Sequence, residues 1–231
     1  MQLLSFQRIF DTPSVKDATL NAKMQTRDGR TFEYLKASEA ITKAMVVSAP
    51  ANTDVDTVSS ASDGASNRVF ITEASAGWTV GDYQDHWGIV DDGTGEGETF
   101  KIKDNTADTL ELYVEYALAA ALAVADSDIV IRHEPDAEKV AVTTLVTPVK
   151  GVAQATLASA DYGWFLCRGI GGVLAGEVIT INVSLTPGDD TEGTAEIGDT
   201  AKGLFDETCI GRCLVANTTA DEEALVDVNV I

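Results

Sequence analysis

The stretch Trp87 to Glu115, WGIVDDGTGEGETFKIKDNTADTLELYVE, decides the fold class. Runs of β-branched and aromatic residues stand on either side of GTGEG, and a further run, Thr109 to Glu115, follows the KDNTAD break. Short strand-forming runs bounded by turn residues are the pattern of a β-meander. The alternating Gly93, Gly95 and Gly97 do not make a phosphate cradle. A dinucleotide fingerprint needs GxGxxG between a strand and a helix, and a P-loop needs a following Gly-Lys-Ser/Thr. Here Glu96 and Glu98 bring negative charge and a strand follows, so the expectation is a hairpin turn.

Outward from the meander the same grammar continues. Upstream, Asp28-Gly29 is a turn dipeptide, and Thr31 to Leu35 reads as a strand with Phe32 and Tyr34 on one face. Further strands are expected near Asp54 to Ser60 and at Arg68 to Thr72. Downstream, Ile129 to Arg132, Val140 to Val146, Val152 to Leu157, Gly163 to Ile170, Val178 to Leu185 and Leu225 to Ile231 read likewise. In ITINVSL, Ile179, Ile181, Val183 and Leu185 alternate with Thr180, Asn182 and Ser184, the mark of a half-buried strand. Ala117 to Ala125 reads as a short helix on Ala and Leu propensity, or as a tightly packed loop. Helical period is scant elsewhere. The predicted class is all-β, two small sandwich- or barrel-like domains plus an N-terminal arm. The expected divisions are an arm and first strand at 1–47, a meander domain at 48–135 and a C-terminal sandwich or barrel at 136–231. A chain of 231 residues suits two cores, since domains run to ~100–150 residues.

Charge is the second signal: 16 basic against 37 acidic residues leave a net −21. Such a chain repels nucleic acid, whose binding depends on Lys and Arg neutralising phosphates. The imbalance is uneven. Met1 to Met45 holds seven basic and five acidic residues, a net +2, whereas Val46 to Ile231 holds nine and 32, a net −23. The N-terminal segment, which also lacks a clean period between Phe10 and Lys23, is therefore the expected docking part. Its contact candidates are Arg8, Phe10, Lys16, Lys23, Arg27 and Arg30. The longest apolar run, Tyr116 to Ala125, spans ten residues where a membrane helix needs ~20, and no export signal is evident. No membrane partner is expected.

Candidates for chemistry are few. His86 and His133 lie far apart in sequence, and no Ser or Cys sits in a nucleophile-elbow context. Asp91, Asp92, Glu96 and Glu98, and again Asp189, Asp190 and Glu192, gather oxygens that suit a hard cation, but neither run has EF-hand spacing. Cys167, Cys209 and Cys213 form no CxxC. On a continuous strand Cys209 and Cys213 would lie ~13 Å apart at ~3.3 Å per residue, too far for a disulfide. No enzyme activity, metal or cofactor is expected. Trp78, Tyr83 and Trp87 form the densest aromatic cluster and are expected to fill the first core; the alternative is an exposed patch.

Three blocks occur in a familiar order: DGRTFEYLKASEAITKAMVV (Asp28 to Val47), the meander from Asp91 to Glu115, and YGWFLCRGIGGVLA (Tyr162 to Ala175) with the closing CIGRCLVANTTADEEALVDVNVI (Cys209 to Ile231). Together they resemble the head decoration, or cement, proteins of tailed bacteriophages. The resemblance implies a structural virion protein, made in the host cytoplasm and placed on the outer capsid surface. It implies binding to the major capsid protein and to itself as a homotrimer at local threefold axes, with no catalysis. The rival expectation is a head or tail fibre adhesin that binds a host-surface glycan through Trp78, Tyr83 and Trp87.

Overall fold

The computed structural model describes residues 10–55, 69–119, 121–123, 126–140, 149–188, 191–198 and 209–230. The chain folds as two compact units, one made of Met1–Pro50 with Pro135–Ile231 and the other of Ala51–Glu134. Among the described residues there is no α-helix, and the architecture is all-β. Three strands precede the inserted unit: β1 (Lys23–Gln25), β2 (Thr31–Ala37) and β3 (Val46–Ser48). The insert carries β4 (Thr53–Val55), β5 (Phe70–Thr72), β6 (Trp87–Asp92), β7 (Thr99–Asn105), β8 (Thr109–Leu112) and β9 (Asp128–Arg132). After it come β10 (Asp136–Lys139), β11 (Val149–Ala153), β12 (Tyr162–Leu174), β13 (Ser184–Pro187), β14 (Ala195–Ile197), β15 (Gly211–Val215) and β16 (Glu223–Asn229).

In the first unit β2, β10, β3, β11 and β12 are neighbours in that order, and β12 also pairs with β2, closing a ring. Closure leaves these strands no open edge. Only the β2–β10 step of the ring is parallel. The 13-residue β12 serves twice. Its first half pairs with β2 and β11, and its second half pairs with β16, beyond which lie β15, β13 and β14. A bridge from Ala175 to Ala195 brings β14 back to the end of β12, which curls this second group into a half-barrel. The handover falls at Gly169, whose φ of +108° accommodates the register shift between Leu166 and Arg168.

Side chains alternate along a strand, so each ring strand supplies two cores. Leu35, Ala37, Val47, Ala137, Ala153 and Phe165 gather with Ile41 and Leu157. Phe32 and Tyr34 do share a face, as expected, and with Val46, Val152, Trp164 and Leu166 they join Val173, Leu185, Cys213, Val226 and Val228. That is why nearly all of TFEYLKA is buried.

Among the described residues, the segment before β1 is not an arm. The Pro13 carbonyl accepts from Tyr162 N at 3.0 Å, the Tyr34 hydroxyl accepts from Asp17 N at 3.2 Å, and Asn21 N donates to the Tyr34 carbonyl at 2.8 Å. Leu20 is buried in the core. Residues 13–22 thus strap β2 and β12, and the expected separation of 1–47 from 136–231 gives way to one unit built from both. The expected strand over Val178 to Leu185 also fails. Asn182 adopts φ +69° and turns the chain, leaving only Ser184–Pro187 as strand. Ile179 is fixed instead by the buried Asn217, whose Oδ1 accepts from Ile179 N at 2.6 Å. The apolar alternation marks two buried ends of a turn, with Ile181 exposed between them.

In the second unit the sheet order is β4-β9-β6-β7-β8-β5, and β6-β7-β8 is the predicted meander. Gly93, Gly95 and Gly97 all have positive φ, so GTGEG is the hairpin turn. Its sheet buries Val90, Phe100, Ile102, Leu110, Leu112, Ile129 and Ile131 on one face. The Ala-rich stretch is a loop where it is described: Leu118 and Leu122 both reach this core, and their burial outweighs Ala propensity.

Candidate functional site

Two open sheet faces, one in each unit, carry the features a binding protein needs. In the first unit the second half of β12 alternates buried Gly171 and Val173 with outward Arg168 and Ile170. On β16, Ala224, Val226 and Val228 face the core while Glu223, Leu225, Asp227 and Asn229 face out. Register places Val215 opposite Leu225, and both Ile170 and Arg212 opposite Asp227. The outcome is an apolar centre, Ile170, Leu225 and Val215 at 51%, 40% and 54% exposed, with Arg168, Arg212, Asp227 and Glu223 around it. Isolated exposed apolar residues are ordinary, but three neighbours across adjoining strands form a patch.

The predicted contact residues divide. Arg8 lies outside the described residues. Phe10, half exposed, and Lys16 stand on the strap. Lys23 is exposed on β1 and Arg27 at the β1–β2 turn. Arg30 pairs with Asp28 at 2.9 Å and lies 5.5 Å from the Phe32 ring centre. The Thr26 hydroxyl, then the Arg30 amide and guanidinium, hold the Asp28 carboxyl below its usual range. Because Thr31 is opposite Arg168, this basic hairpin adjoins the open face of β12. The sequence reading found the hairpin cations. It missed the apolar patch, because Ile170 and Leu225 become neighbours only through the pairing of β12 with β16.

In the second unit the aromatic trio does not form one cluster. Trp78 and Tyr83 meet edge to face at 5.8 Å and pack against the core. Trp87 is on the opposite side of the sheet, partly exposed, with the Tyr116 ring edge-on at 4.9 Å. Its register partners are Lys101 on β7 and Arg132 on β9. Lys101 Nζ lies 5.9 Å from the Trp87 ring centre and 5.5 Å from that of Tyr113. Burial, then the Asp85 carboxylate that accepts the Tyr113 hydroxyl at 2.8 Å, push the Tyr113 phenol up to about 12. A shallow groove beside Trp87 is lined by Gly88, Ile89, Thr99, Arg132 and Glu134.

Chemistry finds less here. His86 and His133, distant in sequence, do meet: their rings are 5.2 Å apart, and each touches Tyr83. His133 Nε2 is 2.8 Å from the Thr53 hydroxyl and His86 Nδ1 is 3.2 Å from the Gln84 carbonyl, so one nitrogen of each ring is engaged by its own unit. Two of the four acidic residues near the GTGEG turn, Asp92 and Glu98, staple the loop. Asp92 accepts from Gly93 N at 2.7 Å, and Glu98 accepts from Ala119 N at 2.6 Å. Glu192 pairs with Lys139 at 3.3 Å; Asp189 and Asp190 lie outside the described residues. The three cysteines are free thiols, with Cys209 exposed and Cys167 and Cys213 buried.

Compared with known proteins, the chain matches no family model, no curated protein and no solved structure.

Proposed function

We propose that the protein decorates the outer surface of a tailed-phage capsid and stabilises it by bridging neighbouring major capsid subunits. One observation carries the reading. Two of the three blocks that resemble decoration proteins, the first and the third with its closing segment, are far apart in sequence and supply adjoining strands of one unit: β2 pairs with β12, β12 with β16 and β16 with β15. The outward side of that run is the apolar patch, and its β2 end is the basic hairpin. An apolar centre supplies affinity while the charges around it set orientation. The first unit docks in this reading, and many copies on one lattice compensate for weak single contacts. Self-association as a homotrimer belongs to the same proposal, with the short β1, whose one sheet neighbour among the described residues is β2, as a candidate edge.

The test is cosedimentation of purified protein with undecorated heads of the phage that encodes it. Binding is expected for the native chain, and loss is expected for Ile170→Lys combined with Leu225→Lys, at an unchanged melting temperature because both positions are exposed. A native chain that stays in the supernatant overturns the proposal; a variant that binds at full strength overturns the assigned face. Light scattering on free and head-bound protein tests the trimer, which a monomer in both states refutes.

A further inference from the structure

The outward face of the second unit's sheet concentrates what little positive charge the unit has. Ala51 to Glu134 contains four basic residues against 17 acidic ones, a net −13. Of the four, Lys101, Lys103 and Arg132 extend from neighbouring strands of this sheet, and Arg68 lies outside the described residues. Lys101 and Arg132 are not scattered: they are the two register partners of Trp87, one on either side of it. A unit that excludes cations nearly everywhere else has placed two of them around its outward tryptophan.

We propose that this face binds a carboxylate-bearing terminal sugar of a surface glycan. A pyranose ring has an apolar C–H face that stacks on a partly exposed indole, and Tyr116, 38% exposed and edge-on to Trp87, lengthens that platform. The sugar carboxylate needs a planar, two-pronged donor, which the Arg132 guanidinium supplies. Arg132 is paired with Glu134 at 2.7 Å, but both side chains are well exposed, and an exposed pair of this kind is worth only about 0–1 kcal/mol. An incoming carboxylate therefore competes cheaply with this pair for Arg132. The Thr99 hydroxyl, exposed on the other side of the groove, donates to the sugar hydroxyls.

Charge selects the ligand within the class. Of the two cations beside Trp87, Arg132 is well exposed while Lys101 is 21% exposed and lies 3.9 Å from the buried Asp85 carboxylate, so the face matches one carboxylate, whereas a polyanion extends beyond Arg132 and meets the acidic remainder of the unit within a Debye length of ~8–10 Å. A single acidic sugar is favoured over nucleic acid or a sulfated polymer. The inference does not depend on capsid docking, because it concerns only the second unit and is tested on free protein.

The test uses the full chain with sialyllactose, neutral lactose and a heparin oligosaccharide, read by tryptophan fluorescence and saturation-transfer NMR. Sialyllactose is expected to bind in preference to both others, and its affinity is expected to weaken at least tenfold in Arg132→Gln and in Trp87→Ala. Arg132→Gln alters a side chain that is 54% exposed, so it remains informative if Trp87→Ala fails to fold. No binding of sialyllactose, equal binding of lactose, stronger binding of heparin, or binding unchanged in Arg132→Gln would each overturn the proposal.

Discussion

Replacing Trp87 by alanine separates a core aromatic from a surface one, and the structure fixes the expected size of the effect. Trp87 lies outside the core of the second unit; its contacts are the Tyr116 ring at 4.9 Å and the Lys101 ammonium at 5.9 Å. An aromatic pair is worth ~0.5–1.5 kcal/mol and an exposed cation–π contact ~0.5–1 kcal/mol, so the loss is about 1–2 kcal/mol. Phe100 is the internal control. It is fully buried, and its ring lies over Gly88, where an added Cβ would come within 2.3 Å. Truncating such a residue costs ~3–5 kcal/mol. In a unit of this size 1 kcal/mol moves the midpoint by ~4–8 °C, so Trp87→Ala lowers the second unit's transition by about 5–15 °C. Phe100→Ala removes most of that unit's stability. Differential scanning calorimetry of the two variants beside the native chain reads both effects. If Trp87→Ala unfolds the second unit as completely as Phe100→Ala, the outward placement of Trp87 is wrong and the platform argued for the saccharide goes with it.

Four further outcomes follow from particular features of the structure. Gly93→Ala is expected to destabilise the second unit by more than the ~1–2 kcal/mol of left-handed strain, because its Cβ would meet the Asp126 carbonyl oxygen at 2.0 Å; a urea melt within error of the native one refutes this. In the folded chain only Cys209 should react promptly with Ellman's reagent, since burial, and next the Glu33 carboxylate, push Cys167 up to about 12 and burial also raises Cys213. The raised Cys167 value favours the fold fully below the ordinary thiol value of 9.0 and loses that advantage as pH climbs toward about 12, so Cys167→Ala should flatten the alkaline decline in stability. Joining Pro50 to Pro135 through Asn-Gly should leave a folded first unit, visible as a dispersed NMR spectrum; an unfolded product refutes the independence of that unit.

What the sequence made legible was local. GTGEG demanded positive φ at three glycines, and the runs on either side could only be strands, so the meander was readable from the chain alone. Thr31 to Leu35 reads as a strand, but its role is hidden, because nothing local reveals that β2 pairs with β12 more than 120 positions away. The strap shows the same limit: Pro13 to Ala22 has no period because its order comes from the Tyr34 side chain and backbone rather than from a face of its own. Trp87 was misplaced for a different reason. Sequence proximity to Trp78 and Tyr83 suggested one cluster, yet the chain turns at Gly81 and Asp85, both with positive φ, before β6 begins, and Trp87 emerges on the other side of the sheet. The apolar patch on β12, β16 and β15 was invisible because each contributor looks like an unremarkable residue of an alternating strand.

The point of insertion carries its own argument. β3 and β10 are antiparallel neighbours, with Ser48 opposite Glu138 and Val47 opposite Lys139, so the chain ends that the second unit needs are the ends any hairpin would bring together. A folded unit placed there costs the ring none of the β3–β10 hydrogen bonds, and loop closure grows more costly by only ~0.6 kcal/mol for each doubling of length. The ring, by contrast, tolerates little change: β12 is shared by β2, β11 and β16, and on β11 a Cβ at Gly151 would come within 2.8 Å of the Leu166 carbonyl oxygen. Chains built on this ring are therefore expected to differ most between positions 50 and 135, with some reduced there to a short turn and others carrying unrelated folds. Within inserts of the present kind, Trp87, Lys101 and Arg132 should change together, since each contributes to one surface and none to the core. Determining structures of such chains is the check. A set in which the insert is as constant as β2 and β12 would mean that the second unit is required by the fold rather than carried by it.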